Sequence, residues 1–224
     1  VARPRVLLLA ALTAICTAAS AASSPALGAR AHSHSSWHCA KAGSCKRSAH
    51  HKRSPRRGGA TGHGRRCPHA TLVPDRWNLE LIRSATLCLV NRERAAHGER
   101  PLDQNRRLQR AAQGHTESMA LRGYFNHIGP LGGTPLSRIR AAGYIYGSHV
   151  SYAVGENIAW GTRSLATPRA IVAAWMASPG HRANILDGRF RDTAIGVCSQ
   201  LPYSLGHGQP GAIYTQDFGA RAID

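Results

Sequence analysis

Residues 174–186 read Ala-Trp-Met-Ala-Ser-Pro-Gly-His-Arg-Ala-Asn-Ile-Leu. Ser178-Pro179 is a helix-opening device. A hydroxyl stands at the capping position, and a proline takes the first helical position, where its missing N–H costs nothing. The pair separates a helix running through Trp175 and Met176 from a short helical turn carrying His181 to Leu186. Thr167-Pro168 and Thr134-Pro135 repeat the device. They predict helices opening at Pro168 and at Pro135, the second running to Ala142 before Gly143.

Upstream, Leu79, Ile82, Thr86 and Leu89 step at helical intervals, which predicts a helix over 77–97 with a polar end at Arg92, Glu93 and Arg94 and a stop at Gly98. Asn105 caps a second helix reaching Arg122 and closed by Gly123. Its inner face carries Leu108, Ala111, His115 and Met119. Strands are expected over 154–160, 193–199 and 212–218, where β-branched and aromatic residues stand between Gly-rich turns. The Gly- and Pro-bearing loop 200–211 favours antiparallel pairing of the last two. Helices first and strands later give an α+β layered domain over 72–224.

The charge of the chain divides at the same place. Residues 1–66 hold 12 Lys and Arg and no acid, whereas residues 67–224 hold 17 bases against 11 acids, a net of +6. Residues 1–21 read as a signal peptide. Arg3 and Arg5 precede the apolar run Val6 to Leu12, and Ala19-Ser20-Ala21 fits the cleavage rule. The run is too short to span a bilayer, so the chain is expected to be secreted, extracellular and associated with the cell wall. Residues 22–71 read as a disordered basic linker rich in His and Arg, because they lack the apolar surface to offset ordering entropy. The linker acts either as a tether to an anionic wall polymer or lipid surface, or as a plain spacer. Nucleic acid is a poor partner for an exported chain, and a monomer is expected.

Export places the cysteines in an oxidising compartment. Cys16 leaves with the signal peptide. Cys67 lies just before the domain and Cys88 in its first helix, so a bridge between them would staple the leading arm to the body. Cys39 and Cys45 are spaced to close a small loop. Cys198 is left as a lone thiol in a strand.

Three polar residues interrupt apolar patterns. His115 sits on the inner face of its helix, Glu156 lies inside the apolar strand Gly155-Glu156-Asn157-Ile158-Ala159-Trp160, and His181 follows Trp175. A buried Glu or His needs a hydrogen-bonding partner, so the three are expected to meet in one cleft. Two imidazoles and a carboxylate also make a set competent for a divalent metal such as zinc. From the residues alone, a structural network and a ligand site stand level.

Five segments together carry a resemblance. These are residues 86–94, His115-Thr116-Glu117-Ser118-Met119-Ala120, Gly155-Glu156-Asn157-Ile158-Ala159, residues 174–186 and Tyr214-Thr215-Gln216-Asp217-Phe218-Gly219. In this order they resemble the successive signatures of bacterial members of the CAP superfamily (cysteine-rich secretory proteins, antigen 5, pathogenesis-related 1). The resemblance implies an α-β-α sandwich, with a small antiparallel sheet flanked by helices and an open cleft lined by His115, Glu156 and His181. His127, in Phe125-Asn126-His127, recurs in bacterial relatives and either lines the cleft or anchors a loop. Asp217 is either a cleft acid or the partner of an arginine. Arg182 and Asn184 are read as braces of their helix.

No serine or cysteine stands in an activated setting, and Ser178 is read as a cap. The expected function is therefore a noncatalytic secreted module whose cleft binds a lipid, a wall component or a protein. The alternative is an extracellular hydrolase, metal-assisted through His115, Glu156 and His181.

Overall fold

The computed structural model describes residues 66–147 and 150–223. The expected signal peptide, nearly all of the basic linker, and Cys39 and Cys45 lie outside the described residues.

Helix α1 (Leu79–Ala96) buries Ile82, Thr86 and Leu89 of the stripe read from the sequence, with Ala85 and Val90 added and Leu79 half-buried. Arg94 was expected in a polar end and is instead fully buried. Its Nε donates to the Arg100 carbonyl at 2.7 Å, and its Nη1 donates to the carbonyls of Ile185 at 2.6 Å and Asp187 at 3.1 Å. One guanidinium thus terminates two distant segments.

Strand β1 (Asp103–Gln104) leads into helix α2 (Arg106–Arg122). The Asn105 side chain accepts from the backbone N–H groups of Arg107 and Leu108, and Gly123 closes the helix in the left-handed conformation at φ 71°. Helix α3 (Pro135–Ala141) and helix α4 (Pro168–Ala177) open on Thr134 and Thr167, whose hydroxyls cap as expected. Ser178 holds the cap position of helix α5 (Pro179–Leu186), but its side chain makes no capping bond. Proline at the first turn suffices there. A 3-10 turn, Arg163–Ala166, and the one-turn helix α6 (Tyr203–Gly206) complete the helical set among the described residues.

Strands β2 (Val150–Thr162), β3 (Asp192–Cys198) and β4 (Gly211–Ile223) join β1 in one sheet of order β1-β3-β4-β2. Strand β4 runs antiparallel to both neighbours, while β1 pairs parallel with β3. The sheet is therefore mixed rather than wholly antiparallel, because residues 103–104 enter beside β3 from the α1–α2 connection.

Helices cover both faces. On one, residues of α1, α4 and α5 pack with Ile195, Val197, Ala212, Tyr214 and Phe218. On the other, Leu108 and Ala111 of α2 and Ile139 of α3 pack with Val154 and Ala194, and Met119 packs with Ile158 and Ile213. Gly196 permits the second contact, since a Cβ there would collide with the Ala112 carbonyl of α2. A disulfide joins Cys67 to Cys88 of α1. Cys67 and Ala70 belong to the first core, so residues read as the end of the linker pack on the domain.

Candidate functional site

The pleat decides where Glu156 points. Val154, Glu156 and Ile158 share the α2–α3 face of β2, and Glu156 stands opposite Asp217 of β4. The Glu156 side chain is 1% exposed. Its Oε1 accepts from His127 Nδ1 at 2.7 Å, and its Oε2 accepts from Arg138 Nη2 at 2.6 Å. His115 Nε2 lies 3.9 Å from Oε1, too far for a hydrogen bond, and donates instead to the Asn126 carbonyl at 3.0 Å. That bond leaves His115 Nδ1 as an acceptor, 3.4 Å from the Tyr124 hydroxyl, whose one proton goes to Ser118 Oγ at 3.0 Å. Arg138 fixes the loop as well, donating from Nη2 to the His127 carbonyl and from Nη1 to the Gly133 carbonyl.

These contacts set the charges. Burial pushes the Glu156 pKa up, but the His127 hydrogen bond, the Arg138 charge and the nearby imidazoles outweigh it and hold the carboxyl below its usual range. Asp217 is fully buried, and neither of its oxygens has an N–H or O–H donor. Burial, then the adjacent Glu156 charge, raise its pKa well above the usual value, so Asp217 keeps its proton to a higher pH than an ordinary carboxyl while Glu156 gives its up at a lower one. No arginine pairs with it. Burial lowers His115 to about 4. Burial, then the charge of His127, lower His181 to about 4. Both are neutral imidazoles near pH 7.

The structure thus gathers His115, His127, Glu156 and Asp217 on one face. His181 approaches from α5 across the β2 edge: its carbonyl accepts from Asn157 at 3.1 Å, while both ring nitrogens are buried without partners. Asn184 braces α5 against β2 through the Asn157 side chain at 2.9 Å and the Glu156 carbonyl at 3.2 Å. Arg182 lies 3.2 Å from His97 Nε2. Sequence reasoning missed Arg138. Its only signal was the need of a buried carboxylate for a cation.

A divalent cation fits this set poorly. Both Glu156 oxygens are engaged, and one faces a guanidinium that already supplies the positive charge. No group of three His, Cys, Asp or Glu among the described residues has metal-holding geometry. Two candidate nucleophiles, Ser118 and Cys198, lack an activating base. Ser118 Oγ accepts the Tyr124 bond, and burial raises the Cys198 thiol pKa, keeping it protonated. Beside the cluster opens a pocket of about 180 Å³ lined by His115, Ser118, Arg122, Tyr124, Leu131 and Arg138, among others. Leu121 and Leu131 are 79% and 86% exposed.

Comparison with known proteins places this geometry. The family model for CAP, the cysteine-rich secretory protein family, matches residues 87–218. The Bacillus subtilis protein YkwD is 37% identical over 130 residues, 58% of this chain and 44% of YkwD, so the chain spans less than half of that relative. Among solved structures, an extracellular protein of Bacillus anthracis containing an SCP domain superposes with a TM-score of 0.50 at 24% identity, covering 65% of this chain and 43% of that one. An outer surface protein of Borrelia burgdorferi superposes with a TM-score of 0.51 at 16% identity, covering 67% of this chain and 97% of that one. At these identities the likeness shows the fold. Among the described residues, no helix is long and apolar enough to cross a membrane.

Proposed function

The chain belongs to the CAP family of cysteine-rich secretory proteins, and on that premise we propose that it is an exported binding module whose cleft holds a lipid or wall component. One observation carries the reading. Glu156, the buried carboxylate beside the pocket, has a lowered pKa and is clamped on both oxygens by His127 and Arg138. A carboxylate so neutralised holds shape and charge, and is poorly placed to take a proton from substrate. The adjoining pocket supplies Arg122 for an anionic group. Leu131, which lines it and is exposed, supplies apolar surface for the rest of such a ligand. In the same reading, residues 1–21 direct export and the ten Lys and Arg of residues 22–66 hold the domain near an anionic wall polymer or lipid surface.

The test is solvent extraction of purified full-length protein followed by mass spectrometry, paired with titration of a fluorescent fatty acid. Wild type is expected to bind the probe, and Ser118→Trp, which fills the pocket, is expected to lose it. Absence of both a co-purified molecule and probe binding in wild type overturns the reading. Deleting residues 22–65 is expected to weaken binding to acidic vesicles at low salt, and equal binding by both chains would leave that segment a spacer.

A hydrolase is the second reading, favoured by a single contact. The His127 side chain is 12% exposed and its Nδ1 bonds to a carboxylate, the arrangement that orients an imidazole for general-base work. It requires turnover of an ester or peptide substrate that His127→Gln abolishes.

A further inference from the structure

Away from the cleft, arginines and tyrosines interleave where the start of α2, the end of α3 and the β2–β4 pair meet. The Arg107 and Arg221 guanidinium carbons lie 5.0 and 4.9 Å from the ring centre of Tyr146. Arg221 also lies 5.3 Å from the Tyr144 ring. Arg140 lies 5.3 Å from the Tyr152 ring and donates to its hydroxyl at 2.9 Å. The β-ladder links these sets, because Tyr152 and Arg221 are register partners. The patch shares no residue with the pocket beside Glu156.

The charge of this patch is uncompensated. Among the described residues, no carboxylate forms an ion pair with Arg107, Arg140 or Arg221. The nearby Asp192 accepts from the Tyr144 hydroxyl at 2.7 Å. A guanidinium held against a ring with one N–H on a phenol hydroxyl, as Arg140 on Tyr152, keeps further N–H groups for a ligand. Such contact also fixes the long side chains in advance, so less entropy is lost when an anion arrives. The Tyr146 hydroxyl, its pKa lowered by Arg221 and Arg107, adds a further donor to the row.

We propose that Arg107, Arg140 and Arg221, held on Tyr144, Tyr146 and Tyr152, form a docking row for a linear polyanion with repeated phosphate groups. A carboxylate is satisfied by one guanidinium fork, whereas a phosphate accepts from several donors at once. The row offers three guanidinium groups with the Tyr146 and Tyr152 hydroxyls between them, the buried Tyr144 hydroxyl being taken by Asp192, and cations in series match charges in series.

The probe is long-chain inorganic polyphosphate, titrated into the full chain across a salt series, with polyglutamate as the carboxylate control. The triple variant R107Q, R140Q and R221Q is expected to lose about tenfold or more in affinity, and its salt slope is expected to fall by about 2, from ~0.7 per phosphate neutralised. A control triple removing the exposed arginines Arg92, Arg100 and Arg169 lowers net charge equally. It is expected to lose no more than about threefold, on the screened-charge argument. Equal losses in both triples reduce the effect to net charge and overturn the proposal. Polyglutamate binding wild type as tightly as polyphosphate overturns the phosphate assignment. Should the first triple fail to fold, the double variant R107Q and R140Q, which leaves β4 intact, carries the same comparison.

Discussion

The two faces of the sheet solve burial differently. Under α1, α4 and α5, Trp175 packs edge-on against Tyr214 and Phe190 stacks on Phe218. Most polar groups there are amides and hydroxyls paired with one another, such as Asn157 with Asn184 and Gln216 with Thr193, beside the Arg94 guanidinium bonded to backbone carbonyls and the His181 imidazole. Under α2 and α3, a carboxylate, a guanidinium, a carboxylic acid of raised pKa and two imidazoles are buried together. The first face is held by apolar area and the second by charge balance. Charge balance is the more fragile device, because removing one partner strands the others. A protein that needed only a fold would repeat the first solution on both faces.

Removing apolar area should cost most. Trp175→Ala empties the largest buried side chain of the first face, and chemical denaturation is expected to show a loss of about 3–5 kcal/mol. On the charged face, Glu156→Gln keeps the shape but strands Arg138 and His127, with an expected loss of about 3 kcal/mol. The double variant Glu156→Gln with Arg138→Met should be more stable than Glu156→Gln alone. If the second change deepens the loss, the two faces do not differ in the way described.

The pH dependence follows from buried titratable groups on both faces of the sheet. His115 and His181 have folded pKa values of about 4, below the unfolded 6.5, so unfolding takes up protons between these values. Their contribution is fully present above pH 6.5 and is lost as pH falls toward 4. Asp217 has the opposite sign: raised in the fold, it releases a proton on unfolding. The two imidazoles take up as many as two protons between these values, about 2.7 kcal/mol per pH unit, and Asp217 offsets part of this. Glu156 adds to the loss below about 4.5. Asp217→Asn removes the opposing contribution, so urea unfolding at stepped pH should show a steeper dependence of stability on pH than wild type. The smallest expected effect is that of zinc. A metal centre at 100 times its Kd would gain about 2.7 kcal/mol, whereas wild type should show no change in thermal stability on adding Zn²⁺.

Much of the fold was legible because its helices are punctuated locally. Asn105, Gly123, Thr134-Pro135 and Thr167-Pro168 act within a turn of themselves, and each stands where the sequence places it. Strand β1 was not legible, since two residues carry no periodicity, and β2 and β4 run to 13 residues each where seven were expected. Their extensions alternate with Gly, Ala and Arg, and they stay in register by pairing with each other rather than by apolar content. Glu156 and His115 were legible as polar residues breaking an apolar pattern. Arg138 was not, because an arginine beside Ile139 on a short helix looks like any solvated one. Its role depends on a carboxylate 18 residues away on a neighbouring strand.

The account depends most directly on the charge of Glu156. Carbon-13 labelling of Asp and Glu side-chain carboxyls, followed by NMR titration of the folded protein, reads that charge without mutation. Glu156 is expected to stay ionised to below its ordinary 4.5, while Asp217 titrates well above 3.8. A Glu156 carboxyl that takes up its proton above 4.5 would contradict the clamp by His127 and Arg138, and with it the reading of the cleft as a charge-balanced binding site.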